Sequence, residues 1–161
     1  MKTSLQENLA GEQSDVRPSL LLGQRGEALA AAYLLQKGYR LVAANFVIPV
    51  GRSRRGALIS VEVDLVAYDD QTLCFIEVKT RESDWFAKPE ANVDRRKQRQ
   101  IARAAHAYRR MFDLEMDAYR FDIVTVVMRD STGLQPEINL LRNFWNEEVF
   151  RKRSWLNKYY D

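Results

Sequence analysis

The chain has 161 residues, a formal net charge of +3, one cysteine and one histidine; 46% of it is hydrophobic and 29% charged. That length suits one domain with a real core, and the composition is that of an ordinary soluble chain. One cysteine excludes an intrachain disulfide, and one Cys with one His cannot supply a zinc site of the usual ligand type. Any metal held here would rest on carboxylates, which suit hard ions such as Mg2+ or Mn2+. There is no phosphate-cradling glycine loop and no GxSxG elbow, and His106 sits in an Arg-rich segment unsuited to a Ser-His-Asp arrangement. No apolar run reaches bilayer-spanning length, and no apolar stretch follows Lys2 as a signal peptide would require. A cytoplasmic location without a membrane partner is therefore the expectation. The pI of about 9.1 points to a polyanionic partner only if the basic residues are clustered.

Residues 1–19 are polar and aperiodic and read as a flexible tail. Leu20 to Lys37 is rich in Ala and Leu and stops at Gly38, which predicts a helix. Tyr39 to Ile48 reads as a strand. Residues 49–60 read as a basic loop carrying Arg52, Arg54 and Arg55 between glycines. Ile59 to Tyr68 and Thr72 to Lys79 read as strands. Residues 80–92 form a polar loop with Trp85, Phe86 and Pro89. Val93 to Phe112 is a long helix and Tyr119 to Met128 a fourth strand. Residues 131–161 form a basic, aromatic extension packed on or near the domain of residues 20–130. The order helix, three strands, helix, strand predicts an α/β fold: a mixed central sheet with helices against it.

The two middle strands carry the chemistry. In Val61-Glu62-Val63-Asp64-Leu65 the period of two puts Glu62 and Asp64 on one face and the apolar residues on the other. The same rule places Glu77 and Lys79 together. A four-residue hairpin loop, Asp69 to Thr72, would pair Tyr68 with Leu73, which sets Asp64 opposite Glu77 and Glu62 opposite Lys79. Opposed residues have Cβ atoms roughly 4.5–5.5 Å apart. Two carboxylates that close repel by about 1–4 kcal/mol. They need a raised pKa, a neighbouring cation or a bound metal. The plainer alternative is a cross-strand salt-bridge ladder between Glu62 and Lys79 on a solvated face.

Glu62-Val-Asp64-Leu-Val followed by Phe75-Ile-Glu77-Val-Lys79-Thr-Arg81 resembles the acid, gap, Glu-x-Lys signature of the PD-(D/E)xK nuclease superfamily. More closely, the chain is similar to the YraN family of small bacterial proteins predicted to be endonucleases. Gly23-Gln-Arg-Gly26-Glu27, Gly38-Tyr39, Asn45, Phe86, Pro89, Lys97 and Arg120-Phe121-Asp122-Ile123-Val124 match that family in order, over about residues 21–128. The chain departs from it at Val61 and Ala87, where the family usually has Gly, and at Val47, where it has Arg. The resemblance implies a restriction-endonuclease-like fold and metal-dependent endonuclease cleavage of DNA, including branched or junction DNA, with one or two Mg2+ or Mn2+ ions. Two alternatives stand beside it: a non-catalytic nucleic-acid-binding module, and a structural or interaction protein. Paired cuts would suit a homodimer.

With that resemblance, Asp64 and Glu77 are the expected metal ligands, and the Val78 carbonyl adds a third oxygen. Lys79 is expected to position the attacking water and stabilise phosphate charge. Glu62 either serves a second ion or pairs with a surface Lys. Glu27 falls on the same helical side as Ala31, Leu34 and Leu35, where a carboxylate needs a partner. It is either a further acid aimed at the site or an exposed first-turn Glu. In the second helix Arg96, Arg99, Arg103, His106 and Arg110 form one stripe, with no acid from Arg95 to Phe112. That stripe is either a solvated face or a row of phosphate contacts shared with Arg54 and Arg55. Lys97 lies on the apolar side and either snorkels or reaches the site. Arg151-Lys-Arg153 near Trp155, Tyr159 and Tyr160 suit base stacking and backbone pairing. Cys74 is expected to be a buried small hydrophobe. Asp122 is expected to be structural, held by Arg120 or the sheet edge.

Overall fold

Pro18 opens the first helix because its fixed φ and missing N–H suit a first turn. The computed structural model describes residues 17–82, 94–129, 133–148 and 150. In it, α1 spans Pro18–Gln36. It ends where Gly38, at φ 88°, lets the Gly38 and Tyr39 N–H groups bond back to Leu35 and Leu34. Three antiparallel strands follow: β1 (Arg40–Arg52), β2 (Leu58–Asp69) and β3 (Thr72–Arg81). Helix α2 (Arg95–Met111) starts on the Asp94 carboxylate, which accepts from the Lys97 N–H at 2.8 Å. It carries the chain across to β4 (Tyr119–Val127), which lies parallel to β3. Strand β5 (Glu137–Trp145) then pairs antiparallel with β4. The sheet order is β1-β2-β3-β4-β5. The fold is α/β, a mixed sheet with a helix on each face, which is compatible with a restriction-endonuclease-like fold. No helix among the described residues is long and apolar enough to cross a membrane.

The two faces hold separate cores. Ile101, Ala105 and Tyr108 of α2 pack on Val61, Val63, Phe75, Phe121 and Ile123. On the other face, Ala30 and Leu34 of α1 pack on Leu65, Ala67, Ile76, Val124 and Val126. Cys74 is buried in this second layer, as expected, and burial pushes its thiol up to about 12.

Several expectations are corrected. Residues 49–60 are mostly strand, not loop: Pro49 pairs with Ser60, Gly51 with Ile59 and Arg52 with Leu58. Only the turn around Ser53–Gly56 leaves the ladder. Residues 137–145 supply a fifth strand that the sequence reading did not place, because Asn139, Arg142 and Asn143 interrupt the apolar alternation. Leu65 does not share a face with Val61 and Val63, since the alternation changes phase at Asp64. Leu35 is 54% exposed; the buried stripe of α1 is Gly26, Ala30 and Leu34. Nearly all of the tail 1–19, the loop with Trp85, Phe86 and Pro89, and the segment Arg151 to Tyr160 lie outside the described residues.

Gly26 shows how closely α1 sits on the sheet. A Cβ there would lie 1.8 Å from Thr80 Oγ1 and 2.7 Å from Thr80 Cβ, one residue after Lys79. Gly26→Ala is expected to cost about 1–3 kcal/mol by overpacking. Thr80→Ala should restore part of that loss in the double variant. Urea unfolding of the four proteins measures it; strict additivity would mean that the two residues do not meet.

Candidate active site

The β2–β3 ladder runs with the predicted register from Asp69↔Thr72 through Tyr68↔Leu73 to Leu65↔Ile76 and then stops. Beyond that point the Asp64 carboxylate takes over: its Oδ2 accepts the Val78 N–H at 2.7 Å. The strands part where a side chain replaces a backbone carbonyl as acceptor. On the other side of β2, Ala44 pairs with Leu65 and Phe46 with Val63. Asn45 between them adopts φ 49°, a left-handed conformation that asparagine tolerates.

Glu77 is 2% exposed, and Lys79 Nζ lies 2.8 Å from its Oε1. Lys97 reaches in from α2, with Nζ 3.3 Å from Glu77 Oε2. That Oε2 is buried and accepts no hydrogen bond of good geometry. The ion pair is therefore electrostatic contact without directional satisfaction, and the oxygen keeps unused acceptor capacity. Burial, and then the negative charge of Glu77, push the Asp64 carboxyl up to about 7. The Val78 N–H and the Lys97 ammonium pull it down, and Glu27 adds a smaller upward push.

The remaining acids are organised by a residue to which the sequence reading gave no role. The Asn45 amide donates to Glu27 Oε2 at 2.7 Å and to Glu62 Oε1 at 3.3 Å. It ties α1 to the rim of the carboxylate pair. Glu27 therefore has a partner, at the border of the buried face. The Glu62–Lys79 ladder is not formed: Glu62 bonds Asn45, while Lys79 turns to Glu77. The sequence signals for Asn45 were its place among the family-matching residues and its character as a polar, turn-favouring residue inside an apolar strand.

Arg96, Arg99, Arg103, His106 and Arg110 are all exposed along α2. They are not equivalent. Arg103 Nη2 donates to the Val50 carbonyl at 2.9 Å. Arg99 lies over the Phe150 ring, and His106 meets Glu147 at 2.7 Å. Arg54 and Arg55 are exposed at the hairpin turn. Glu27, Asp64, Glu77, Lys79 and Lys97 form one neighbourhood; the arginines lie outside it.

Asp64 gives the metal-free protein a pH signature. Its folded pKa near 7 lies above the 3.8 of the free residue. Between those values the folded state holds the extra proton, so raising pH favours unfolding. Its contribution is complete below about pH 4 and lost as pH rises through about 7. Asp64→Asn should remove this dependence. Chemical denaturation from pH 4 to 8.5 measures it, and parallel profiles for the two proteins would refute it.

The site is a buried Glu77 beside a half-buried Asp64, with Lys79 and Lys97 on Glu77, carried on a mixed α/β sheet. The chain belongs to uncharacterised protein family UPF0102, the YraN-like group, whose model matches residues 26–126. It is 43% identical to a UPF0102 protein of Chlorobaculum tepidum over 106 residues, covering 66% of this chain and 74% of that one. A UPF0102 protein of Trichlorobacter lovleyi is 40% identical over 123 residues, 76% of this chain and 87% of that one. A crystal structure titled SSO0001 aligns over 86% of this chain and 58% of its own, with a TM-score of 0.40 and 13% identity.

Proposed function

We propose that this protein is a Mg2+- or Mn2+-dependent endonuclease that hydrolyses DNA phosphodiesters at the Asp64–Glu77–Lys79 cluster. The observation that carries the reading is the buried, unsatisfied Glu77 Oε2 beside a carboxylate held near pKa 7. Among the described residues no three His, Cys, Asp or Glu side chains come together as a self-sufficient cage. A Mg2+ ion does not require such a cage, since it is bound by one or two carboxylates and keeps waters and substrate phosphates as its other ligands. Asp64 and Glu77 are the side chains that would hold the ion, with the Val78 carbonyl as a backbone ligand. A bound divalent ion would supply Lewis acidity at the phosphate and lower the pKa of attached water.

The chain's own residues do the rest. Lys79 brings an ammonium that neutralises charge on the scissile phosphate and orients the attacking water. Lys97 holds Glu77 from the opposite side and balances the carboxylate pair in the resting protein. Asn45 fixes Glu27 and Glu62 at the rim of the carboxylate pair. Labelled linear, nicked, flapped and four-way-junction DNA, incubated with Mg2+, Mn2+ or EDTA, tests the reading. Cutting only with a divalent ion is expected. DNA binding without cutting under any condition would instead make the protein a non-catalytic binding module.

A further inference from the structure

The β1–β2 hairpin stands out because it is built, basic and unused by the chemistry. Its arms pair through Arg52↔Leu58. The turn is closed by Ser53 N–H to Ala57 O at 2.8 Å and Gly56 N–H to Ser53 O at 2.9 Å. Arg52 Nη1 braces it by donating to the Gly56 carbonyl at 2.8 Å. The ribbon is also docked on α2, where Arg103 bonds the Val50 carbonyl. The approach is so close that a Cβ on Gly51, itself at φ 148°, would meet Arg103 Nη2 at 3.0 Å. The hairpin is thus a fixed two-stranded arm at the site end of the sheet. From Leu58 to Asp64 is six strand residues, about 20 Å.

Its charge has one sign. From Phe46 to Val61 there is no acid, and Arg52, Arg54 and Arg55 crowd the tip. Across the Arg103 anchor, α2 presents exposed Arg96 and Arg99 with no acid in the helix. Lys97, between them in sequence, reaches Glu77. Ribbon tip and helix stripe are thus joined through the Arg103 anchor, and the other side of the same helix reaches the carboxylate pair through Lys97.

From this we infer that the hairpin is a groove-entering arm for double-stranded DNA, with Arg54 and Arg55 on the backbone and α2 on the flanking phosphates. A two-stranded ribbon fits the B-form major groove, about 12 Å wide. A duplex RNA major groove is too deep and narrow to admit it. A single strand offers no groove, and the described tip carries no aromatic residue on which bases would stack. The inference extends the nuclease reading to a duplex substrate, and it is tested by binding in EDTA, so the two can fail separately.

Fluorescence anisotropy compares duplex DNA, single-stranded DNA and duplex RNA across a salt series. The variants are Arg54→Ala/Arg55→Ala, the charge reversal Arg54→Glu/Arg55→Glu, and Arg40→Ala at the opposite end of β1. Wild type should prefer duplex DNA. The double alanine variant should lose about tenfold or more in affinity, with a log–log salt slope shallower by about 1.8, two contacts at about 0.9 each. Charge reversal should lose more, and Arg40→Ala should match wild type. Unchanged affinity and slope in both tip variants would overturn the inference. So would equal or tighter binding of single-stranded DNA or duplex RNA.

Discussion

Asp64→Asn and Glu77→Gln are each expected to lower divalent-ion-dependent cleavage by on the order of 10^3-fold, with DNA affinity in EDTA little changed. Both keep side-chain volume and an oxygen while removing the charge that would hold the ion. Asp64→Asn retains an oxygen for the Val78 N–H, so the strand junction should survive. The double variant should be scarcely worse than either single one, because the two carboxylates act as one unit. Lys79→Met should also cut the rate, yet leave ion binding intact, since its ammonium faces the carboxylate pair rather than completing it. Cleavage time courses on one substrate check all four variants. Near-wild-type rates in both single variants would remove the cluster from the chemistry.

The largest stability effect is expected far from that cluster, at Asp122. This residue is 0% exposed. Arg120 Nε donates to both of its oxygens, at 2.9 and 3.0 Å, and the Asn143 N–H to Oδ1 at 2.8 Å. Arg120 Nη2 also reaches Asp69 at 2.7 Å and the Tyr39 hydroxyl at 2.8 Å. Arg142 Nε donates to that same hydroxyl at 3.0 Å. The network joins the start of β1 and the β2–β3 turn to β4 and β5. Asp122→Ala would leave the Arg120 guanidinium short of an anion and the Asn143 N–H without its acceptor. Loss of about 3–5 kcal/mol is the usual result of removing one partner from a buried pair. Asp122→Asn, which keeps an acceptor, should lose less. Urea denaturation measures both; a loss below about 1 kcal/mol for Asp122→Ala would mean that the network is not holding β5.

The sequence made the central hairpin legible because three signals agree there. The two alternating runs, Ile59 to Tyr68 and Thr72 to Lys79, are too short for helices, a polar hairpin loop at Asp69 to Thr72 joins them, and only one register keeps both apolar sets buried; the structure tightens the loop by pairing Asp69 with Thr72. That register carried Asp64 to Glu77. The stop in the ladder was not legible, because it depends on the Asp64 side chain replacing a backbone acceptor. Nor was the change of face at Leu65, since strict alternation presumes an unbroken strand. Asn45 was hidden for a related reason: its role comes from a left-handed φ and from contacts with Glu27 and Glu62, 18 and 17 positions away. The arm at residues 49–60 read as a loop because Pro and Gly punctuate it, although Pro49 and Gly51 sit on an edge strand where both are tolerated. Strand β5 read as an extension because exposed Arg142 and Asn143 stand in a row and break its alternation, while its ties to Tyr39 and Asp122 span 103 and 21 positions and leave no local signal.

The central claim is that Asp64 and Glu77 together bind a divalent ion. Isothermal titration of Mn2+ into the protein at pH 8, where Asp64 is mostly ionised, tests it most directly. Wild type should take up at least one ion, gaining about 2.7 kcal/mol of unfolding stability at a hundredfold excess over Kd. Asp64→Asn and Glu77→Gln should show no binding and no gain. Equal uptake and stabilisation in all three proteins would place the ion elsewhere, and no uptake even with DNA present would contradict the metal-dependent account.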